Sequence, residues 1–282
     1  KGCEDVSTKY LYYYLTNLQD KIYATKKGGG VPHVHISSIE NFLIPIPHPD
    51  IQEEIVRILD NFTNLAAELQ AELQARQEQY EYYRNKLLTF NNVDRGGYAS
   101  VTWMKMSEIG EICMCKRITK DQTNNIDGVP FYKIGTFGKV ADAYISRDLY
   151  EDYKSRFSFP RKGEILISAS GTIGRTVVYD GRDAYFQDSN IVWVHNDEIK
   201  VLNKYLYHYY QVIEWEVEGG TIKRLYNNNL AKTKIVVPPI SEQEHIVSIL
   251  DKFETLVNDL TEGLPAEIAA VQEQYEYCLL YT

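Results

Sequence analysis

Residues 52–62 read QEEIVRILDNF, and residues 243–253 read QEHIVSILDKF, the same phrase 191 positions on. Working outward, QEQYEY at 77–82 returns at 272–277, and KYLY at 9–12 returns at 204–207, both displaced by 195. Between these anchors Gly28-Gly29 matches Gly219-Gly220, and Pro45-Ile46-Pro47 falls near Val237-Pro238-Pro239. Self-similarity at a long fixed period marks a duplicated structural unit. Residues 1–90 repeat as 196–282, while 93–195 have no earlier counterpart. The chain therefore holds about one and a half repeats. The expectation is of a trimmed product in which the front of the first copy is missing.

The repeated phrase sits on a helix. Ile55, Phe62, Leu69, Arg76 and Tyr83 fall seven apart, and Leu59, Ala66, Leu73, Tyr80 and Leu87 form a second row. This four–three alternation is a coiled-coil seam with one charged break at Arg76. Carried from Ile51 to Leu88, it predicts a rod of roughly 55 Å. The second copy keeps Ile246, Leu250, Phe253, Val257, Leu260 and Leu264 in the same rows. It then gains four residues around Gly263-Leu264-Pro265, which accounts for the change of displacement and predicts a bend or break at Pro265. Mutual antiparallel packing is expected, with Leu59, Phe62, Leu69 and Leu73 facing Leu250, Phe253, Val257 and Leu260.

Residues 93–240 read as a mixed α/β globule. Runs at 129–135, 164–168, 175–178 and 191–195 have strand character between turn residues, 204–217 has helical spacing, and 235–237 is a short strand stopped by prolines. The 282 residues carry a net charge of −9, which at first argues against a nucleic-acid partner. The distribution reverses that. Residues 51–92 hold 4 cations and 7 anions and residues 241–282 hold 1 and 9, so the remainder is mildly basic. No stretch is long and apolar enough for a membrane helix, nothing resembles a signal peptide, and a cytoplasmic location is expected. Cys3, Cys113, Cys115 and Cys278 are too few for a disulfide framework. Cys113 and Cys115 read as small buried hydrophobes, and His33 and His35 lack further ligands at metal spacing, so no metal site is expected.

The common catalytic signatures are absent. There is no Walker loop, no G-x-G-x-x-G after a strand, no G-x-S-x-G and no H-E-x-x-H. What stands out is a hydroxyl- and glycine-rich turn, in which Ser168, Ser170, Thr172 and Arg175 could approach a phosphate or a base edge. Gln187 and Asn190 offer amides able to pair with adenine. Lys133, Thr136 and Lys139 flank another turn, and Lys223, Arg224 and Tyr226 follow the second glycine pair. Further cations cluster at Lys116-Arg117 with Lys120, and at Arg156 with Arg161-Lys162. Several such clusters on a basic body point to phosphate binding.

Three segments together resemble the specificity subunit of type I restriction–modification systems. They are GEILISASGTIG at 163–174, GTIKRL at 220–225 running to IVVPPISEQE at 235–244, and GLPAE at 263–267. The Gln-Tyr-Glu-Tyr helix ends look similar too, and the resemblance covers essentially the whole chain. It implies an α+β fold, with target-recognition domains and two long helices forming an antiparallel coiled coil. The organisation expected is 1–50 as the tail of a first recognition domain and 51–92 as a first spacer helix. A complete second recognition domain would follow at 93–240, with a second spacer helix at 241–282. The resemblance also implies that each globule reads half of a bipartite double-stranded DNA target while the helices set the gap. The helices would also dock DNA adenine methyltransferase subunits, which restriction subunits then join. S-adenosylmethionine, Mg and ATP would sit on those partners, and this chain would carry no catalytic residue. The rival reading is a coiled-coil scaffold that does not bind DNA.

Overall fold

A computed structural model describes residues 5–27, 33–90, 101–220 and 223–280. Gly28-Gly29, one anchor of the repeat, lies outside the described residues, as does the junction at 91–100. The chain opens with α1 (Thr8–Asn17), α2 (Gln19–Ala24), α3 (Ile36–Ile39) and α4 (Pro49–Leu88). Then come β1 (Thr102–Lys105), α5 (Met106–Ile109), β2 (Gly110–Cys113), β3 (Thr123–Asn124), β4 (Val129–Tyr132), β5 (Tyr144–Ile145) and α6 (Arg147–Arg156). Next are β6 (Ile165–Ser168), β7 (Thr176–Val178), β8 (Tyr185–Phe186), β9 (Ile191–Asn196) and α7 (Asn203–Tyr210). The chain continues through α8 (Asn227–Lys232), β10 (Lys234–Val237), α9 (Ile240–Asn258) and α10 (Leu264–Leu280). These elements fall into two compact units, residues 1–79 with 253–282, and residues 80–252.

In the first unit Ser7 opens α1 by accepting from the Tyr10 N–H, and Pro49 starts α4, where its missing N–H costs nothing. The seam read from the sequence is the inward face of α4. Leu59 and Leu73 are buried, and Phe62, Ala66, Leu69 and Arg76 are half-buried. Leu59 packs with Tyr13 of α1 and Leu279 of α10, ringed by Ile55, Val56, Tyr275 and Cys278. Phe62 and Ala66 share a groove with Val271 and Tyr275. Climbing α4 from 59 to 66 descends α10 from 279 to 271, so the two helices run antiparallel.

The antiparallel expectation stands, but its facing row is corrected. Leu59 and Phe62 take their partners from α10 rather than from the row of Leu250, Phe253, Val257 and Leu260. Leu260 is 78% exposed and belongs to no seam. The cause is the inserted turn. The helix stops at Asn258, and the Asp259 carboxylate accepts from the N–H groups of Thr261 and Glu262 at 2.7 and 3.1 Å. Gly263 closes the turn so tightly that a Cβ there would lie 2.4 Å from the Thr255 carbonyl. Pro265 therefore stands in the first turn of a new helix rather than bending a continuous one.

The second unit carries the sheets. β2-β9-β6-β7 form one antiparallel sheet, β3-β5-β4-β8 another with β4 and β8 parallel, and β1 pairs antiparallel with β10. β6 is buried along its whole length and Trp193 is fully buried in β9, so continuous apolar runs mark the centre of the globule. Gly110 is required where β2 meets β9, since a Cβ there would sit 2.0 Å from the His195 carbonyl oxygen. The helix expected over 204–217 ends at Tyr210, leaving Trp215 on the segment that leads to the glycine pair.

The duplication is visible bond for bond. Gln52 Nε2 donates to the carbonyls of Asp5 and Pro47, both at 2.8 Å, and Ser7 N donates to Gln52 Oε1. Gln243 Nε2 donates to the carbonyls of Lys200 and Pro238, and Leu202 N donates to Gln243 Oε1. Tyr10 Oη donates to the Pro45 carbonyl at 2.9 Å, as Tyr205 Oη does to Val236 at 2.8 Å. Each Asp of the repeated phrase anchors a lysine, Lys9 on Asp60 and Lys204 on Asp251. One change is that Tyr13, which donates to Asp60 at 2.6 Å, is replaced by the buried His208, whose Nε2 lies 2.9 Å from Asp251. The hydrogen bonds from Lys9 and Tyr13 lower the Asp60 pKa. Burial alone would raise Asp251, yet its bonds from Lys204 and His208 outweigh that and hold it low.

Candidate nucleic-acid interface

Four loops of the second unit converge on one surface, and hydrogen bonds tie each to the next. The loop after β4 turns on Thr136, whose Oγ1 accepts from Lys133 N at 3.1 Å, and Lys133 Nζ pairs with Asp142 at 2.8 Å. This loop meets the 187–190 loop where Ile134 N donates to Gln187 Oε1 at 2.9 Å. It meets the 168–175 turn where Arg175 Nη1 donates to the Phe137 carbonyl at 3.0 Å. The turn and the 187–190 loop are joined by Ala169 N to the Asn190 carbonyl at 2.7 Å and Ser170 Oγ to Asn190 Oδ1 at 2.8 Å. The fourth segment closes the surface. Leu225 N donates to the Ala169 carbonyl, and Arg224 Nη2 donates to both the carbonyl and the hydroxyl of Ser189 at 2.7 and 2.8 Å.

The candidate residues are thus brought together, but in two different capacities. Lys139 and Lys223 are exposed, Tyr226 is nearly half-exposed, and Thr172 lies on the turn between two glycines of positive φ. Lys133, Thr136, Ser170, Arg175, Gln187, Asn190 and Arg224 spend polar groups on holding the loops. Gln187 Oε1 and Asn190 Oδ1 each accept one of these loop-joining bonds. Ser168 is corrected outright. It is 1% exposed, its hydroxyl donates to the Thr172 carbonyl and accepts from Arg175 N, and it has no surface to offer.

Other residues complete the surface. Met114, Ser189, Asn227 and Asn228 line a hollow with Arg224, Leu225 and Tyr226. Arg117 pairs with Asp188 at 3.3 Å while its guanidinium stays largely exposed. The Lys116-Arg117 cluster and the asparagine run were visible in the sequence. What could not be read is that Asn229 turns inward, donating to Glu218 at 2.9 Å, while Asn227 and Asn228 line the hollow. Cys113 and Cys115 are buried, and burial pushes the Cys115 thiol up to about 12, which suits packing rather than metal ligation. Among the described residues no helix is long and apolar enough to cross a membrane.

Residues 1–78 and 100–270 match the family described as type I restriction modification DNA specificity domain. The chain belongs to this family. A relative named as a type I restriction enzyme specificity subunit, from Haemophilus influenzae, is 51% identical over 98% of this chain and 72% of its own length. The EcoR124I/EcoR124II specificity subunit of Escherichia coli is 34% identical over 98% of this chain and 71% of its own. The HsdS subunit of Thermoanaerobacter tengcongensis, 18% identical, superposes with a TM-score of 0.59 over 98% of this chain and 70% of that one, which shows a shared fold. An α+β specificity-domain fold with internal duplication accounts for both units described above.

Proposed function

We propose that this chain recognises a DNA target sequence as the specificity subunit of a type I restriction–modification complex, with the four-loop surface as its contact face. The observation that carries the reading is the convergence of Lys139, Arg117, Lys223 and the amide-bearing loops on one hydrogen-bonded platform. Exposed cations on such a platform meet phosphates, while the amides of Gln187 and Asn190, Tyr226 and the asparagine hollow meet base edges. Relatives named as specificity subunits support a targeting rather than a catalytic role. The finer parts of the reading follow the family resemblance. Each recognition globule reads one half-site of a bipartite target, α4 contributes to the gap between them, and adenine-methylating and restriction subunits bind alongside. S-adenosylmethionine, Mg and ATP belong to those subunits.

Binding to duplex DNA should weaken steeply with salt, because phosphate contacts release counterions. Lys139→Ala or Lys223→Ala should weaken binding at all sequences and flatten the salt slope by about one unit each. Arg224→Ala should act differently, because freeing Ser189 disturbs the hollow, and should alter sequence preference as well. His33, its counterpart in the first copy, lacks the guanidinium that holds Ser189, so His33→Ala should have the smaller effect. A chain whose affinity for DNA is weak and independent of salt would be a scaffold instead.

A further inference from the structure

Beside the four-loop surface lies a cavity of about 420 Å³ that the recognition reading does not use, within the size range of small-molecule sites. Its interior is aromatic. Tyr132 of β4 and Phe186 of β8 are cross-strand neighbours whose rings stack 5.8 Å apart and 18° from parallel, and Tyr179 meets Phe186 edge-on at 5.7 Å. Phe137, Tyr179 and Phe186 are buried, while Tyr132 and Val177 are half-buried and leave apolar surface for a planar ring. The 137–139 loop is shared with the four-loop surface. Phe137 and Lys139 line the cavity, and the Phe137 carbonyl holds Arg175 of the neighbouring turn.

The charges at the rim select the ligand. Asp183 accepts from Tyr150 Oη at 2.9 Å and pairs with Arg147 and, at 3.9 Å, with Lys154. Asp180 accepts from Arg182 N at 2.9 Å and pairs with the Arg182 guanidinium at 3.3 Å. Tyr179 Oη closes the same turn by donating to the Arg182 carbonyl at 2.8 Å. Both rim carboxylates are thus already neutralised. Among the described residues the Lys139 ammonium has no carboxylate partner, and the Tyr132 hydroxyl has no hydrogen-bond partner. An aromatic hollow with one free cation at its rim matches a flat ring that carries an anion.

We infer that this cavity is a site for a single nucleotide, with the base stacked on Tyr132 and the phosphate on Lys139. Two sources offer that chemistry, a nucleotide turned out of a bound DNA strand and a free nucleoside monophosphate. The first source rests on the DNA-recognition reading, and the second does not. Turning a base out of a duplex costs its stacking, which an aromatic wall offsets.

The test uses the whole chain, with dAMP, dGMP, dCMP and dTMP as probes. Saturation-transfer NMR should show transfer from the protein to the base protons of at least one of them. Tyr132→Ala should weaken that probe about tenfold, the loss of one stacking contact. Lys139→Ala should weaken it about fivefold and leave the matching uncharged nucleoside unchanged, because only the phosphate meets the ammonium. Lys139 is an exposed loop residue, so its variant decides even where the Tyr132 variant fails to fold. A duplex carrying one unpaired 2-aminopurine, read by fluorescence with excess monophosphate as competitor, separates the sources. Competition assigns the site to a turned-out nucleotide, and transfer to the free probe without competition assigns it to a free one. Transfer to none of the four, or equal loss of nucleotide and nucleoside in Lys139→Ala, overturns the inference. Salt-dependent binding of an unmodified duplex is measured alongside, so a cavity that takes no nucleotide leaves the DNA-recognition reading standing.

Discussion

A methyl group added at Gly174 would sit 2.5 Å from the Trp215 indole nitrogen, on a backbone held at φ +84°. Both the space and the dihedral demand glycine there, so the 168–175 turn is seated on Trp215 rather than floating over the sheet. Gly174→Ala should cost on the order of 1–3 kcal/mol in urea unfolding and weaken DNA binding through the displaced turn. Adding Trp215→Leu should recover the steric part and leave about 1 kcal/mol for the dihedral. No recovery in the double variant would remove the indole as the seat. The same scale shows why Ser168 was misread. A serine beside glycine has the composition of a phosphate-binding turn, but which way a hydroxyl points depends on strand alternation and on the carbonyls within reach. Here those were Thr172 and the returning Arg175 backbone.

At the scale of elements, the apolar rows of α4 and of α9 carry the same four–three spacing, so periodicity alone cannot choose which rows meet. The tertiary structure chooses by breaking the second copy at 259–263, which frees α10 to lie antiparallel along α4. Leu59→Ala should therefore cost ~2–5 kcal/mol, because it opens a cavity against Tyr13 and Leu279. Leu260→Ala should be nearly silent. Thermal or urea unfolding of the two variants decides between the rows, since equal losses would restore the pairing of Leu59 with the Leu250–Leu260 row. The strands were more legible. Ile165–Ser168, Thr176–Val178 and Ile191–Asn196 each fall where apolar β-branched runs stand between turn residues. β1 (TWMK) and β2 (GEIC) do not stand out, because neither carries the apolar β-branched run that marks β6, β7 and β9.

For the molecule as a whole, α4 spans 40 residues, or ~60 Å of rise. On the proposed reading, four residues inserted into its exposed middle lengthen the gap between half-sites by about one helical turn, ~6 Å, and leave the half-site bases unchanged. Methylation mapping of an assembled complex checks this. An unchanged gap, or altered bases, would sink the spacer role. The duplication, the long helix, the apolar strands and the family are legible without coordinates, because they rest on periodicity and on recurring phrases that are local to the chain. The sequence also puts acid on the helices and leaves the globule basic. Folding settles which helix partners Leu59 and Phe62 of α4, that the candidate loops form one platform, and which of their polar groups are already spent. The helix choice depends on the turn at 259–263 and the packing of Leu59 on Leu279, and the platform on non-local hydrogen bonds, Ile134 to Gln187, Ser170 to Asn190 and Arg224 to Ser189, between residues that no sequence spacing brings together.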